Sequence, residues 1–388
     1  MTKMLSMDDV ALEGKKVLIR VDFNVPLKNG VITDDTRILE TLPTLQQALA
    51  RKAKVFVVSH FGRPTPGADN SVFSLMPVAN RLRELLATPV HFAKDWLDFV
   101  DCGTSELVVC ENVRFFAGET ENDLELAKKL AGLCDVFVMD AFACAHRAHA
   151  STEGIARFAP QAVAGPLLLK EIEALDKVMH STKKPIVAIV GGSKVSTKLT
   201  ILQQLMHKVD TLIVGGGIAN TFSAALGNKV GASLYEPDLI ETAKAMLNHG
   251  SCKILLPEDV VVANNIVSDA ATTIKLLSAV NDHDKILDVG PKTIALYTAA
   301  LQQANIILWN GPVGVFECPP FAHGTKQLAL AIAHSHAYSV AGGGDTIAAI
   351  KQFNVTDGMS YISTGGGAFL EYIEGKILPG IAVLNREE

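Results

Sequence analysis

At 388 residues, with 48% hydrophobic side chains, the chain is long for one core and apolar enough to fill two. Only 20% of its residues are charged and the net charge is −6; this excludes a general nucleic-acid binder, because affinity for a phosphate backbone needs a basic surface. The six cysteines (Cys102, Cys110, Cys134, Cys144, Cys252 and Cys318) form no C-x-x-C pair and have no histidine at zinc spacing. The expected compartment is therefore reducing and cytoplasmic. Residues 1–10 lack an apolar signal core, and no uninterrupted apolar run would span a bilayer, so no membrane partner is expected.

Residues 16–21 read as a strand, with Asp22, Phe23 and Asn24 at its carboxyl end before Pro26 stops the ladder. Asp34 and Asp35 offer caps for a helix through Arg37, Ile38 and Leu42. Arg37 falls in its first turn, where a positive charge opposes the dipole. That cost hints at a ligand, although a solvated surface arginine also fits. Strands at 55–59, 107–110 and 136–139 end in His60-Phe61-Gly62-Arg63-Pro64, in Glu111-Asn112-Val113-Arg114 and in a run from Asp140 to His146-Arg147. Helical patterns near 75–86 and 123–133 separate them, which predicts a parallel sheet. Ligands bind outside the carboxyl ends of such strands, where His60, Arg63, Arg114, His146 and Arg147 fall. Several arginines at one edge repel one another unless an anion joins them. The pattern points to a basic pocket for a small phosphorylated or carboxylated ligand.

Residues 166–180 read as a long helix, with Leu168, Leu175 and Val178 on its apolar side and Lys170, Glu171, Glu173 and Asp176 on its polar side. It is a candidate connector, with the domain boundary near its start. The expected organisation is a first domain over 1–165, the helix and a second domain over 166–372, and a segment over 373–388. That last segment is too apolar for a disordered tail and packs back on the first domain.

The second half opens with the strand 186–190 and Gly191-Gly192-Ser193-Lys194-Val195-Ser196-Thr197-Lys198. Two glycines let backbone approach a ligand, and a helix beginning near Val195 would point unpaired N–H groups at an anion. Lys194 and Lys198, four apart, would share its first turn. A glycine-rich turn with two solvated lysines explains the stretch equally well. It is not a Walker A loop, since G-x-x-x-x-G-K-[ST] is absent. Further strands end in Gly215-Gly216-Gly217, in Asn310-Gly311-Pro312-Val313-Gly314-Val315-Phe316-Glu317, in Gly342-Gly343-Gly344-Asp345-Thr346 and in Thr364-Gly365-Gly366-Gly367. So many glycine turns at one sheet edge predict a nucleotide site. Asp345 could face phosphates only through a cation such as Mg2+, or could cap a helix with Thr346 at its first position. Glu317 could accept from a ribose hydroxyl pair or be a solvated loop acid.

These residues resemble the phosphoglycerate kinase family over nearly the whole chain. The resemblance rests on Val17-Leu18-Ile19-Arg20-Val21-Asp22-Phe23-Asn24-Val25-Pro26, Ser59-His60-Phe61-Gly62-Arg63-Pro64, Glu111-Asn112-Val113-Arg114-Phe115 and Ala145-His146-Arg147-Ala148-His149. In the second half the four motifs that begin at Gly191, Asn310, Gly342 and Ser363 follow in family order. The resemblance implies two Rossmann-like three-layer α/β/α domains with parallel sheets, joined by a long helix and facing across a cleft. It implies that Asp22, Phe23, Asn24, Arg37, His60, Phe61, Gly62, Arg63, Arg114 and Arg147 bind 3-phosphoglycerate. Lys198, Glu317, Gly343, Gly344, Asp345 and Thr346 would bind ADP or ATP, and Asp345 would hold the nucleotide's Mg2+. Arg37, Lys194, Gly365 and Gly366 would surround the phosphoryl group in flight. A monomer is implied, with small-molecule substrates alone. One departure is visible: Ala143-Cys144 stands where the family commonly has Gly-Thr.

The implied reaction moves a phosphoryl group between 1,3-bisphosphoglycerate and ADP, in line and after domain closure. The acceptor of the reverse reaction is a carboxylate, already ionised at neutral pH, so no general base is needed. Catalysis would rest on alignment and charge stabilisation. A two-lobed dehydrogenase is disfavoured by the missing G-x-G-x-x-G. A non-catalytic anion-binding protein is disfavoured by the paired lysines with Asp345.

Overall fold

The computed structural model describes residues 4–65, 70–97 and 107–385. Cys102 lies outside the described residues. The chain divides into two compact units, Met1–Glu173 with Ile377–Glu388, and Ala174–Lys376. The division falls inside the helix Pro166–Met179.

In the first unit the strands are β1 (Lys16–Arg20), β2 (Lys54–Val58), β3 (Val90–Ala93), β4 (Leu107–Cys110), β5 (Val136–Met139) and β6 (Gln161–Ala164). They form one sheet in the order β3-β4-β2-β1-β5-β6, and every pairing is parallel. Val17, Leu18 and Ile19 of β1 and Val55, Phe56, Val57 and Val58 of β2 are all buried. Such continuous apolar runs, rather than alternation, are what a sheet covered on both faces demands. Each of these side chains contributes roughly 1.5–3 kcal/mol by leaving water. The strand order reverses between β1 and β5, so their carboxyl ends open the crevice where ligands bind in doubly wound sheets.

The second unit carries β7 (Ile186–Gly192), β8 (Thr211–Gly215), β9 (Lys253–Leu255), β10 (Asp259–Ala263), β11 (Thr273–Leu276), β12 (Lys285–Val289), β13 (Ile306–Asn310), β14 (Tyr338–Gly342) and β15 (Tyr361–Ser363). Its six-stranded parallel sheet runs β9-β8-β7-β13-β14-β15. Taken in chain order this is the dinucleotide-fold arrangement 3-2-1-4-5-6, with its switch point between β7 and β13. The strands β11-β10-β12 form a separate antiparallel sheet. Its strands lie in a region where the sequence shows no comparable repeating pattern.

Three local expectations need correction. The helix after β7 begins at Leu199 rather than near Val195. Residues 195–198 are a turn, closed by Lys198 N–H donating to Val195 O at 2.9 Å. Ser196 in that turn is gripped by Glu236, which accepts from its N–H at 2.9 Å and from its hydroxyl at 2.5 Å. Lys194 and Lys198 therefore do not share a first helical turn. Second, the helix Gly344–Gln352 is capped by Gly343 at φ 99°, which places Asp345 inside the first turn. Third, Glu171 is 2% exposed rather than on a solvated face. Charge periodicity marks a solvent side only where one face alone is covered.

Candidate active site

In the first unit the functional side chains come from the carboxyl ends of adjacent strands. Arg20, the last residue of β1, is only 1% exposed. Its Nε donates to Ser151 Oγ at 3.1 Å, its Nη1 donates to Val21 O, and its Nη2 lies 3.2 Å from His60 Nδ1. Nδ1 must therefore accept, which leaves the imidazole proton on Nε2. Burial, then Arg20, Arg114, Arg147 and Arg37 in turn, hold His60 well below the ordinary histidine range, so the ring is neutral. Asp22 Oδ2 pairs with Arg37 Nη1 at 2.8 Å, and the same Nη1 donates to Asn24 O at 3.0 Å. Asn24 Oδ1 accepts from Gly62 N–H at 2.9 Å, and Arg114 Nη1 donates to Gly62 O at 2.5 Å.

A pocket of about 710 Å3 opens beside this network, with Arg63, Arg114, Arg147, His149 and Glu119 among its lining residues. Arg114 Nε is buried and has no hydrogen-bond partner. Burial, then Arg147 and Arg20, lower the Arg114 pKa. Glu119 is the buried acid of the group; desolvation pushes its carboxyl up to about 7 although Ser151 donates to it twice, at 2.6 and 2.9 Å. Three arginines face two acids, Glu119 and Glu121, across this pocket, a balance that suits an anionic guest.

In the second unit the switch point is packed backbone on backbone. A Cβ on Gly191 would sit 1.8 Å from Pro312 O, and one on Gly311 would sit 2.2 Å from Gly191 O. Glycine at these two positions is a packing requirement. Gly344 differs: a Cβ there would meet nothing within 4 Å. Lys198 Nζ bridges the switch point, donating to Gly191 O at 2.6 Å, to Asn310 Oδ1 at 2.7 Å and to Asn310 O at 3.3 Å. Desolvation lowers its pKa to about 8, partly offset by Asp345. Its three acceptors are neutral, so a phosphate taking over one of those bonds would stabilise the ammonium further. Beside it lies a pocket of about 480 Å3 whose lining includes Gly192, Gly217, Leu234, Pro312, Glu317 and Asp345.

Residues 7–376 match the sequence model of the family described as Phosphoglycerate kinase. The chain belongs to the phosphoglycerate kinase family. It is 56% identical over 384 residues to the phosphoglycerate kinase of Legionella pneumophila (strain Paris), covering 98% of this chain and 97% of that one. With the enzyme of strain Corby the identity is 57% at the same coverage. The structure of phosphoglycerate kinase from Coxiella burnetii superposes with a TM-score of 0.95 at 51% identity, covering 98% of both chains. That from Pyrococcus horikoshii OT3 gives 0.82 at 33% identity, again over 98% of both. The chain is accordingly a glycolytic phosphotransferase acting between 1,3-bisphosphoglycerate and ADP. Among the described residues no helix is long and apolar enough to cross a membrane.

Within the phosphoglycerate kinase fold, the residues singled out from sequence separate by what their atoms do. Asp22, Asn24, Arg37, His60, Gly62 and Arg114 form one connected network, and Arg63 and Arg147 join Arg114 on the pocket wall. Phe23 and Phe61 have buried side chains, and their N–H groups are spent on Ser59 Oγ and Asn112 Oδ1. Both act as scaffold under the strand ends. In the second unit Thr346 turns its hydroxyl inward to accept from Gly311 N–H at 2.8 Å. Lys194 is exposed, and Gly366, at φ 53°, caps the helix Gly367–Ile373. Gly365 N–H donates to Ser363 Oγ at 3.2 Å.

Sequence reading assigned no role to Arg20, Glu119, Asn310 or Glu236. A signal existed for Arg20 alone, since a charge closing an otherwise apolar strand has to be paired. The others show their function only through partners far away along the chain.

Proposed function

We propose that the basic pocket of the first unit binds 3-phosphoglycerate and the switch-point pocket of the second unit binds the Mg2+-nucleotide. The observation that carries this reading is the convergence of Arg63, Arg114 and Arg147 on one pocket, with the buried Arg114 Nε awaiting an acceptor. These three hold the remote phosphate. Asp22, Asn24, Arg37 and His60 orient the glycerate carboxylate and hydroxyl. Because His60 is neutral and the carboxylate ionised, no proton has to move at the acceptor.

At the nucleotide, Lys198 and the backbone of Gly343 and Gly344 meet phosphate, Glu317 the ribose, and Lys194, Gly365 and Gly366 the charge that develops on the transferring group. The single carboxylate of Asp345 suits Mg2+, which is bound through one or two carboxylates plus substrate phosphates and water. Mg2+ would supply charge neutralisation on the phosphates. Thr346 supports this loop from behind. The described cysteines are free thiols, which suits the cytoplasm.

Two results test the assignment. Arg114→Ala should weaken 3-phosphoglycerate binding by about 10- to 100-fold, the loss of charge-assisted hydrogen bonds. ADP binding should stay unchanged, since the pocket assigned to it is built wholly from second-unit residues. Calorimetry showing equal losses for both ligands would sink the assignment. Gly344→Ala has room for its methyl group and should leave the melting temperature unchanged or slightly raised. If phosphate rests against this backbone, ADP affinity should nonetheless fall by roughly 10-fold. Unaltered ADP affinity removes Gly344 from the phosphate site.

A further inference from the structure

We propose that Glu236 is a positioning residue for phosphoryl transfer, holding the turn that carries Lys194 in register with the wall of the nucleotide pocket. The role rests on the catalytic assignment of Lys194. The turn has no helical backbone to fix it, since the helix begins only at Leu199. Inside the turn, Thr197 Oγ1 donates to Lys194 O and Lys198 N–H donates to Val195 O, both at 2.9 Å. These bonds set the shape of the turn but not its place in the fold. Glu236 sets the place: Oε2 accepts from Ser196 N–H at 2.9 Å and Oε1 accepts from Ser196 Oγ at 2.5 Å. Two bonds to one carboxylate fix orientation as well as distance. The Glu236 carboxyl lies below the ordinary glutamate value, held there first by the Ser196 hydroxyl, against desolvation, then by the N–H groups of Ser196 and Val195, and last by the Lys194 charge. It is therefore ionised at neutral pH, and the groups that hold it so belong to the turn.

Glu236 is itself anchored on the elements that form the pocket. Its N–H donates to Thr221 Oγ1 at 3.1 Å, and that hydroxyl donates to Gly217 O at 2.9 Å. Two residues earlier, Leu234 O accepts from Asn220 Nδ2 at 3.0 Å. Gly217, Asn220 and Leu234 all line the pocket of about 480 Å3, and Gly217, Asn220 and Thr221 lie on the helix Gly216–Ala225. The start of the turn touches the same helix: a Cβ on Gly217 would sit 2.1 Å from Ser193 O. The Lys194 backbone is thus held from both sides against the surface assigned to the nucleotide. A flexible lysine stem reaches many places, and a fixed backbone narrows them. Misplacing a reacting group by about 1 Å can cost roughly 100-fold in rate even when the change lies far from the chemistry. A bond remote from the phosphoryl group therefore bears on kcat.

Steady-state kinetics of the full chain test this role with Glu236→Ala, alone and combined with Lys194→Ala. Glu236→Ala should lower kcat about 10-fold while KM for 3-phosphoglycerate and for ATP stays within about a factor of two. Adding Glu236→Ala to Lys194→Ala should lower kcat no further, because a misplaced lysine and an absent one are the same loss. Ser196→Ala, which keeps the carboxylate and removes the shorter bond, should lower kcat about 3-fold. A normal kcat in Glu236→Ala beside a collapsed kcat in Lys194→Ala overturns the positioning role and leaves the Lys194 assignment standing. A normal kcat in both overturns the Lys194 assignment, and the positioning role with it. A loss of the same factor with and without Lys194 also overturns the role, since a merely structural glutamate acts alike in both backgrounds. Should the alanine protein fail to fold, Glu236→Gln, which keeps one acceptor oxygen, repeats the comparison with a smaller expected loss.

Discussion

Lys194→Ala should lower kcat at least ~100-fold, about 2.7 kcal/mol of transition-state stabilisation. The two lysines of the β7 turn are not equivalent. Lys198 is committed to the backbone at Gly191 and to Asn310, and its removal would disturb the switch point itself. Lys194 is exposed, while its carbonyl accepts from Thr197 Oγ1 at 2.9 Å and the Glu236 grip on Ser196 fixes the turn. A rigid backbone carrying an exposed cation suits charge that appears only during transfer, because such a group gains most in the transition state. ADP and 3-phosphoglycerate affinities should therefore change little while kcat collapses. Lys194→Arg should recover part of the rate, since it keeps the charge and shifts the donor. A near-normal kcat in the alanine variant would remove Lys194 from the catalytic list.

Arg20→Met should destabilise the first unit by about 3 kcal/mol. Methionine fills much of the space and spares the cost of burying a guanidinium, so the sign depends on what is left behind. Val21 O and Ser151 Oγ lose a charged donor inside the protein, and Glu119 loses the positive charge that most opposes its desolvation. Buried acceptors deprived of a charged donor cost more than the removed charge saves. Urea unfolding followed by a first-unit probe at constant pH gives the magnitude; an unchanged midpoint would show that the arginine contributes nothing net. A second readout separates electrostatics from packing. Arg20 is the largest charge acting against protonation of His60. With it gone, the His60 pKa should move upward in an NMR titration, so the ring begins to charge at a higher pH than in the parent protein.

The alternation of apolar runs with helices was legible in sequence because a doubly covered parallel sheet needs nearly continuous hydrophobic strands, as β1 and β2 show. The strand-end arginines were legible for a related reason: charges must stop where the covered strand stops. Arg20 escaped notice as a centre of the network because it lies one residue inside that limit. The turn after Gly192 was misread because its geometry is fixed by Glu236, 40 residues on, and no local propensity encodes such a partner. The glycines looked alike in sequence, yet Gly191 and Gly311 serve backbone packing whereas Gly344 faces open space. Only the neighbours in three dimensions tell them apart. The antiparallel sheet β11-β10-β12 gave no comparable signal because β11 is largely exposed and no helix separates it from β10.

The return of the last residues to the first unit has a consequence for biosynthesis. Gly380 N–H donates to Ala145 O at 2.9 Å, and Leu378 and Leu384 are buried. Ala145 directly follows Cys144 and stands two residues before Arg147, so this contact braces the loop that carries both. The unit Ala174–Lys376 is continuous in sequence and can fold as soon as it clears the ribosome, as domains do during synthesis. The unit made first cannot finish until the second unit has been made, since its closing piece follows that unit in sequence. Throughout the synthesis of some two hundred intervening residues, the edge at Ala145 stays uncovered. A nascent chain stalled before Ile377 thus carries a completed second unit and an acceptor loop still lacking its brace.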